Sequence, residues 1–202
     1  MSMRRRSLKA PHEGAEAAYG ILAGYDGSAR SEGALKWAVR EARLRGTVLT
    51  VCNAYNPRFP VTSDESGVLD LGRRTGEWIT APGVRYATSV LGSGRARPLL
   101  VERPAAAVLC ERGECADMVV VGCRGQGGNA TLLLGSVSSQ VAAQAGGRVV
   151  VVRGHWQPSA GYAPGPVAVE VDGSAASCDA AGFALEEAAL HDAPLLAVCA
   201  LG

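Results

Sequence analysis

Four residues near the middle of the chain have the types and spacing needed to hold a phosphate group. They form the pattern G-x2-G-x9-G-S on Gly122, Gly125, Gly135 and Ser136, directly after the apolar run 118–121. Such a β-branched run predicts a buried parallel strand. Glycines after the strand permit positive φ and a close approach to a ligand, and a serine that opens a helix can cap it or meet an anion. The stretch therefore predicts a cradle of backbone amides for phosphate.

This glycine-rich stretch matches neither of two common nucleotide loops. No Gly-Lys-Ser/Thr follows the glycines, which excludes a Walker A loop, and the dinucleotide spacing G-x-G-x-x-G is absent from residues 122–128. Two interpretations remain: a different nucleotide loop, or a strand-to-helix connection that binds nothing. The matched positions directly after a buried strand favour nucleotide binding.

The pattern resembles the ATP-binding signature of the universal stress protein family. The segments S-V-S-S-Q and R-V-V-V-V-R that follow it strengthen the resemblance, which covers residues 19–153 apart from an obscure middle. The resemblance implies an α/β fold with a five-stranded parallel, doubly wound sheet of the Rossmann-like, adenine-nucleotide alpha-hydrolase-like class.

A second turn could complete a nucleotide site. Tyr25-Asp26-Gly27-Ser28 follows an apolar strand predicted at 19–24, and ligands of parallel sheets bind at the carboxyl ends of the strands. An aspartate is also common in turns that bind nothing. Because the Asp26 and Gly122 turns belong at the same edge of one sheet, we expect them to flank one crevice.

The resemblance implies that eight positions contact the nucleotide: Asp26, Asn53, Gly122, Arg124, Gly125, Gly135, Ser136 and Val137. Asp26 would meet the nucleoside, Gly122 the ribose, and the backbone of Asn53 the adenine, while the later positions would meet the phosphates. Arg124 would reach a phosphate oxygen, or else is a solvated loop charge. The implied cofactor is ATP with Mg²⁺, because the loop alone cannot neutralise the phosphates.

Hydrophobic periodicity predicts the elements that position these residues. A helix begins at the N-cap Ser31 and ends at Gly46, with apolar residues three and four positions apart between them. The other clear elements are strands at 47–54 and 149–152 and a helix at 104–114.

The region between the second strand and that helix is less regular. A broken helix is predicted at 65–80, with Trp78 on its buried side and Pro82-Gly83 ending it. The third strand has two candidates, 84–91 and 97–101. The second is favoured because it lies at the better distance from the helix that follows.

Composition excludes several classes of partner. With 20 basic and 19 acidic residues the net charge is +1, which gives no electrostatic reason to expect nucleic acid or an acidic membrane. No apolar run has the length of a transmembrane helix, and Arg4-Arg5-Arg6 precedes no apolar segment, so no signal peptide is predicted. We expect a disordered tail at 1–18 and a cytoplasmic protein.

The six cysteines are scattered, without a C-x-x-C pair. A zinc site is therefore not expected. Cys123 lies in the glycine-rich turn, where partial exposure is predicted.

The chain repeats its own beginning after a linker predicted at 154–165. A shift of 146 positions lays Asp172-Gly173-Ser174 on Asp26-Gly27-Ser28 and continues without gaps to Ala200 on Ala54. We therefore expect a nucleotide-binding domain at 19–153 and a truncated second copy, strand-helix-strand, at 166–202. The second copy has no glycine-rich turn of its own, so one nucleotide per chain is expected.

Three functions follow from this organisation. The favoured one, implied by the resemblance, is an ATP-binding regulatory protein of the stress response. The alternatives are a slow ATP hydrolase and a nucleotide-free dimerisation module. No general base or catalytic lysine stands at a recognisable spacing, which argues against hydrolysis. Because the family's last strand often pairs with a second subunit, a homodimer through that strand is expected.

Overall fold

The computed structural model describes residues 19–55, 65–123, 125, 134–154, 156 and 165–199. The predicted tail, 1–18, lies outside them. The chain divides into two compact units, Met1–Gln157 and Pro158–Gly202. Strands of the first unit are β1 (Ile21–Gly24), β2 (Leu49–Tyr55), β3 (Ala96–Glu102), β4 (Met118–Gly122) and β5 (Val149–Val152). Its helices are α1 (Ala29–Arg45), α2 (Glu65–Leu91), α3 (Ala105–Gly113) and α4 (Ser136–Gln144). The second unit contains β6 (Val167–Val171), α5 (Ala175–His191) and β7 (Leu195–Cys199).

The first unit is built on a parallel sheet in the order β3-β2-β1-β4-β5. Helices α1 and α2 pack on one face and α3 and α4 on the other, so the strands must be apolar on both sides. Ile21 shows this, since it is fully buried and stands opposite both Leu49 and Met118. The predicted five-stranded, doubly wound sheet is confirmed. Its strand order reverses between β1 and β4, which is where such folds open a crevice.

Helix α1 begins three residues earlier than predicted. Its N-cap is Ser28, whose hydroxyl accepts the Ser31 backbone N–H at 3.2 Å. Ser31 is instead the third helical residue, and its own hydroxyl donates to the Ser28 carbonyl at 2.9 Å. The N-cap prediction was wrong because two serines at this spacing can each cap a helix, and the first is taken. The predicted end is confirmed at Gly46, which has a φ of 68°.

Helix α2 continues through the proline that was predicted to stop it. Pro82 lies inside the helix, and the candidate strand 84–91 is helical, while the favoured candidate 97–101 falls within β3. Proline in a helix interior costs about 3 kcal/mol, and here α2 is held by packing on β2, β3 and α1. Gly83 is part of that packing, since a β-carbon there would stand 3.0 Å from Leu35 Cδ2. Among the described residues no helix has both the length and the apolarity to cross a membrane.

Trp78 lies on the outer side of α2, with 79% of its surface exposed. The prediction that it faces the core was wrong. The inner positions of this part of the helix belong to small residues, Gly76 and Thr80, which are buried. A β-carbon on Gly76 would contact Leu100 at 3.1 Å, so α2 approaches the sheet too closely there for a large side chain.

The second unit pairs β6 with β7 in parallel, from Val167 opposite Leu195 to Val171 opposite Cys199. Helix α5 packs on this pair. Its Ala184 and Ala188 are buried, whereas every residue of β7 is exposed.

Candidate functional site

A cavity of about 640 Å³ opens at the carboxyl ends of β1, β2 and β4. The starts of α3 and α4 complete its wall through Ala105 and the residues around Gly135. Seven of the eight residues singled out in the sequence line it: Asp26, Asn53, Gly122, Gly125, Gly135, Ser136 and Val137. The eighth, Arg124, lies outside the described residues.

Asp26 closes the turn between β1 and α1. Its Oδ1 accepts the Ser28 backbone N–H at 3.0 Å, and its own N–H donates to the Ser31 hydroxyl at 3.3 Å. The carboxylate is therefore held at the mouth of the crevice by the first turn of α1. Among the described residues that line the cavity, Asp26 is the one with a charged side chain.

Two glycines after β4 fit against this turn from the other side. A β-carbon on Gly122 would stand 2.9 Å from the Arg30 carbonyl oxygen and 3.2 Å from the Ser31 nitrogen. On Gly125 it would stand 2.5 Å from Asp26 Oδ2. Gly122 does not use the positive φ that glycine permits, because it still belongs to β4. Its lack of a side chain is instead needed for close packing on the backbone of α1.

A small hydrogen-bonded neck joins the two ends of the glycine-rich loop. The Cys123 carbonyl accepts the Gly135 N–H at 2.7 Å and the Ser138 hydroxyl at 2.9 Å. The Gly135 N–H also approaches the Ser138 hydroxyl oxygen, at 3.0 Å. Cys123, predicted to be partly exposed, is buried, because its N–H pairs with Val152 of β5 and the strand ladder carries it inward.

Ser138 was missed in the sequence. It is buried, and it occupies the third position of α4, from which a polar side chain can reach back to the N-cap. The spacing of a serine three residues after Gly135, within the S-V-S-S-Q segment, was the available signal.

Helix α4 begins without a side-chain cap. Its N-cap is Gly135, in extended conformation, and Ser136, predicted either to cap the helix or to meet an anion, is the first helical residue. A glycine cap supplies no oxygen to cover the first turn, whose N–H groups lack intrahelical acceptors. Gly135, Ser136 and Val137 all line the cavity. The start of the helix therefore presents donors and a positive dipole end to the cavity.

The opposite end of the cavity is shaped by the end of β2. The Asn53 amide Nδ2 donates to the Tyr25 carbonyl at 2.8 Å, which fixes the end of β1 against β2. The Tyr25 N–H donates to the Cys52 carbonyl at 2.8 Å. Backbone N–H and C=O groups alternate in direction along a strand. Those of Ala54 therefore point to the same side as those of Cys52, toward the space beyond the end of β1.

The cavity wall between these ends is apolar and uncharged. Cys52, Leu109 and Val121 line it and belong to the buried core under α3. Burial raises the pKa of the Cys52 thiol to about 12, so it is protonated at neutral pH. Desolvation, with the charges of Glu32 and Asp26, also raises the pKa of the Tyr25 phenol.

Sequence comparison finds that this chain is similar to proteins of a single family. The sequence profile of the universal stress protein family matches residues 20–77 and 90–153. A universal stress protein of Mycolicibacterium smegmatis is 33% identical over an alignment of 186 residues, which covers 89% of this chain and 63% of that protein. Universal stress protein Rv2623 of Mycobacterium tuberculosis is 34% identical over an alignment of 187 residues, which covers 89% of this chain and 62% of that protein. The chain thus spans a little less than two thirds of the length of these relatives.

Structural comparison agrees on the fold. The crystal structure of a universal stress protein from Archaeoglobus fulgidus aligns with a TM-score of 0.69 at 16% identity. The alignment covers 91% of this chain and 67% of that one. At this level of identity the likeness concerns the fold alone.

Proposed function

Because the chain belongs to the universal stress protein family, we propose that its first unit is an ATP-binding regulatory domain of the stress-response type. One observation carries the proposal. The Asp26 turn, Gly125 and the start of α4 meet around a single cavity at the carboxyl edge of the sheet. A nucleotide there would touch α1, α4 and three strand ends together, so its presence or absence can be passed to the surface of the unit.

The start of α4 is suited to the phosphates. Backbone N–H groups in the first turn of a helix, together with the helix dipole, form an anion site. We assign the N–H groups of Ser136 and Val137 to phosphate oxygens, with Gly125 on the other side of the same space. Arg124 would add a charge-assisted hydrogen bond.

The end of β2 is suited to the base. The edge of adenine offers an acceptor nitrogen beside an amino donor, which complements the adjacent N–H and C=O of Ala54. Asn53 supports this pocket from behind, because its amide is already bonded to Tyr25. The uncharged wall formed by Cys52, Leu109 and Val121 suits the flat faces of the base and ribose.

A divalent cation fits the proposed complex. The phosphates would bring several negative charges to the cavity. Among the described residues that line it, the charged one is Asp26, which is itself an anion. Mg²⁺ prefers oxygen ligands and is commonly held by one or two carboxylates and phosphate oxygens. Mg²⁺ coordinated by the phosphate oxygens would neutralise part of their charge.

We also propose that β5 is the edge through which the unit pairs with a second copy. The two edges of the sheet differ in character. Strand β3 carries Arg97 and Pro98, and a proline removes a ladder donor, which discourages pairing. Strand β5 is a run of four valines without a charge. Size-exclusion chromatography with light scattering would detect the dimer, and Val150→Lys should shift it to monomer if β5 is the edge.

A thermal-shift experiment on the full chain tests nucleotide binding. ATP with Mg²⁺ should raise the melting temperature by an amount that grows with ATP concentration. GTP should give a smaller shift because it presents a carbonyl where adenine has an amino group. Release of phosphate measured in the same samples would reveal any hydrolysis. If saturating ATP leaves the melting temperature unchanged, the unit is not an ATP-binding domain.

A further inference from the structure

The two aspartate turns of the chain are built alike. Ser174 donates its N–H to Asp172 Oδ1 at 2.9 Å, as Ser28 does to Asp26 at 3.0 Å. The Ser174 hydroxyl then accepts the N–H of the serine three residues later, at 3.1 Å, as the Ser28 hydroxyl does at 3.2 Å. In both turns the carboxylate therefore closes the turn before a helix. A turn aspartate has a structural role wherever it stands, so it does not mark a nucleotide site by itself.

The positions two residues before these aspartates differ sharply. Gly24 ends β1, and the shift that lays Asp172 on Asp26 places Glu170 of β6 at the same point. Gly24 lines the cavity. A β-carbon there would stand 3.1 Å from Leu109 Cδ1 and 3.3 Å from Val121 Cγ1. Because Gly24 has no side chain, the space beside Leu109 and Val121 remains part of the cavity.

A glutamate at position 24 could lie in either of two places, and each would disrupt the cavity. Its carboxylate could lie between Leu109 and Val121, where burial of an unpaired charge is strongly unfavourable, so α3 would be displaced. It could instead extend into the cavity, where it would occupy the ligand volume and repel the phosphates. In the second unit Glu170 is exposed.

Two residues of β7 near Glu170 are exposed, whereas their counterparts in β2 are buried. Leu196 and Val198 correspond to Thr50 and Cys52 of the first unit, which are 1% and 2% exposed. Leu196 and Val198 are 53% and 50% exposed. Within the described residues, the sheet face that carries Glu170 is therefore open where the matching face of the first unit lies under a helix.

We infer that position 24 controls access to the cavity: Gly24 admits a nucleotide, and a long side chain, such as the glutamate that stands at the matching position 170, would exclude it. This inference rests on the proposed function of the first unit. It makes Gly24 a specificity-determining position of the cavity, although Gly24 has no side chain to contact a ligand.

The test compares Gly24→Gln, Gly24→Glu and Gly24→Ala in the full chain. Titration calorimetry with ATP and Mg²⁺ should show a loss of affinity of about a hundredfold or more for Gln, with Glu weaker still, and a smaller loss for Ala. Glu170→Gly is the matched control and should bind as the parent does. Circular dichroism confirms that each variant is folded.

Parental affinity in a folded Gly24→Gln variant would overturn the inference, whatever the fate of the glutamate variant. If the parent itself binds no ATP, the proposed function fails, and a crystal structure of Gly24→Gln decides the inference separately. A glutamine that fills the cavity or displaces α3 supports it. A glutamine that leaves the cavity open and α3 in place overturns it.

Discussion

The Asp26 carboxylate oxygen Oδ2 lies 2.5 Å from the point at which a β-carbon on residue 125 would stand. The turn after β1 and the loop after β4 are thus in direct contact across the crevice, and glycine is required for that contact. A side chain at position 125 must therefore displace either Oδ2 or the backbone of residue 125, which disturbs the carboxylate whose Oδ1 accepts the Ser28 N–H.

Gly125→Ala is expected to weaken ATP binding without unfolding the first unit. The displaced carboxylate would no longer stand where the proposed ligand meets it, and a charge-assisted hydrogen bond of that kind contributes about 1.5 to 3 kcal/mol, so affinity should fall by roughly tenfold or more. Titration calorimetry measures the change. Gly165→Ala is the matched control, because a β-carbon on Gly165 meets nothing within 4 Å. Equal affinities for the two variants would contradict the prediction.

Asp26→Ala and Asp172→Ala form a second matched pair. Each removes the same turn-closing hydrogen bond, from Ser28 in one case and Ser174 in the other. Both should loosen a helix start, which hydrogen exchange at α1 and α5 would report. Only Asp26→Ala should abolish the rise in melting temperature caused by ATP. A persistent rise in that variant would show that the carboxylate has no part in binding.

Ser138→Ala should destabilise the first unit and weaken ATP binding. The substitution leaves the buried Cys123 carbonyl with one donor instead of two and removes an acceptor of the Gly135 N–H. Each group keeps one partner, so the cost is that of a lost hydrogen bond, about 0.5 to 1.5 kcal/mol, which a urea melt resolves. Ser139→Ala, on the exposed side of the same helix, is the control and should unfold at the parental midpoint. A Ser138 variant that matches this control would refute the structural role of the neck.

The second aspartate turn should be sensitive to strongly acidic pH. Hydrogen bonds, first from the Ser174 hydroxyl and then from its backbone N–H, lower the pKa of Asp172 from 3.8 to about 2. A carboxyl group with a lowered pKa stabilises the fold above its ordinary pKa and loses that contribution as pH falls through the lowered value. NMR titration of the Asp172 carboxyl should therefore give a midpoint near 2, and Ser174→Ala should raise it. A midpoint near 3.8 in the parent would exclude this hydrogen bonding.

Cys52 should resist alkylation in the native protein. Burial raises the pKa of its thiol to about 12, and only the thiolate is an effective nucleophile. Cys115 and Cys178 are exposed and serve as internal references. After iodoacetamide treatment at pH 8, peptide mass spectrometry should find both references modified and Cys52 intact. Modification of all three at one rate would mean that the cavity floor opens readily to reagent.

The sheet and the position of the crevice could be predicted from the sequence because buried parallel strands have a strong local signature. The valines before Gly122 and the apolar run before Asp26 fix two strand ends, and parallel topology brings those ends to one edge. The preference for 97–101 as third strand followed from its spacing to the next helix. These features depend on short-range patterns that few alternatives share.

The features that could not be predicted depend on distances between elements. Trp78 was predicted to lie on the buried side of α2, but the close approach of α2 to β3 at Gly76 leaves room on that side only for small residues. Gly122 was taken as a flexible turn residue, whereas it serves close packing on α1. Neither contact can be predicted from the residues adjacent to it in sequence, because each glycine packs against a distant part of the chain.

The neck at Cys123, Gly135 and Ser138 has a consequence for how this site can change over evolution or by design. Because the two ends of the loop are bonded to each other, substitutions between them need not move the start of α4, provided that Gly125 is kept. A change in loop length would also be inexpensive, since closing a loop of twice the length costs only about 0.6 kcal/mol more. Grafting the loop of a relative between Cys123 and Gly135, with Gly125 retained, is therefore a direct route to new ligand preferences.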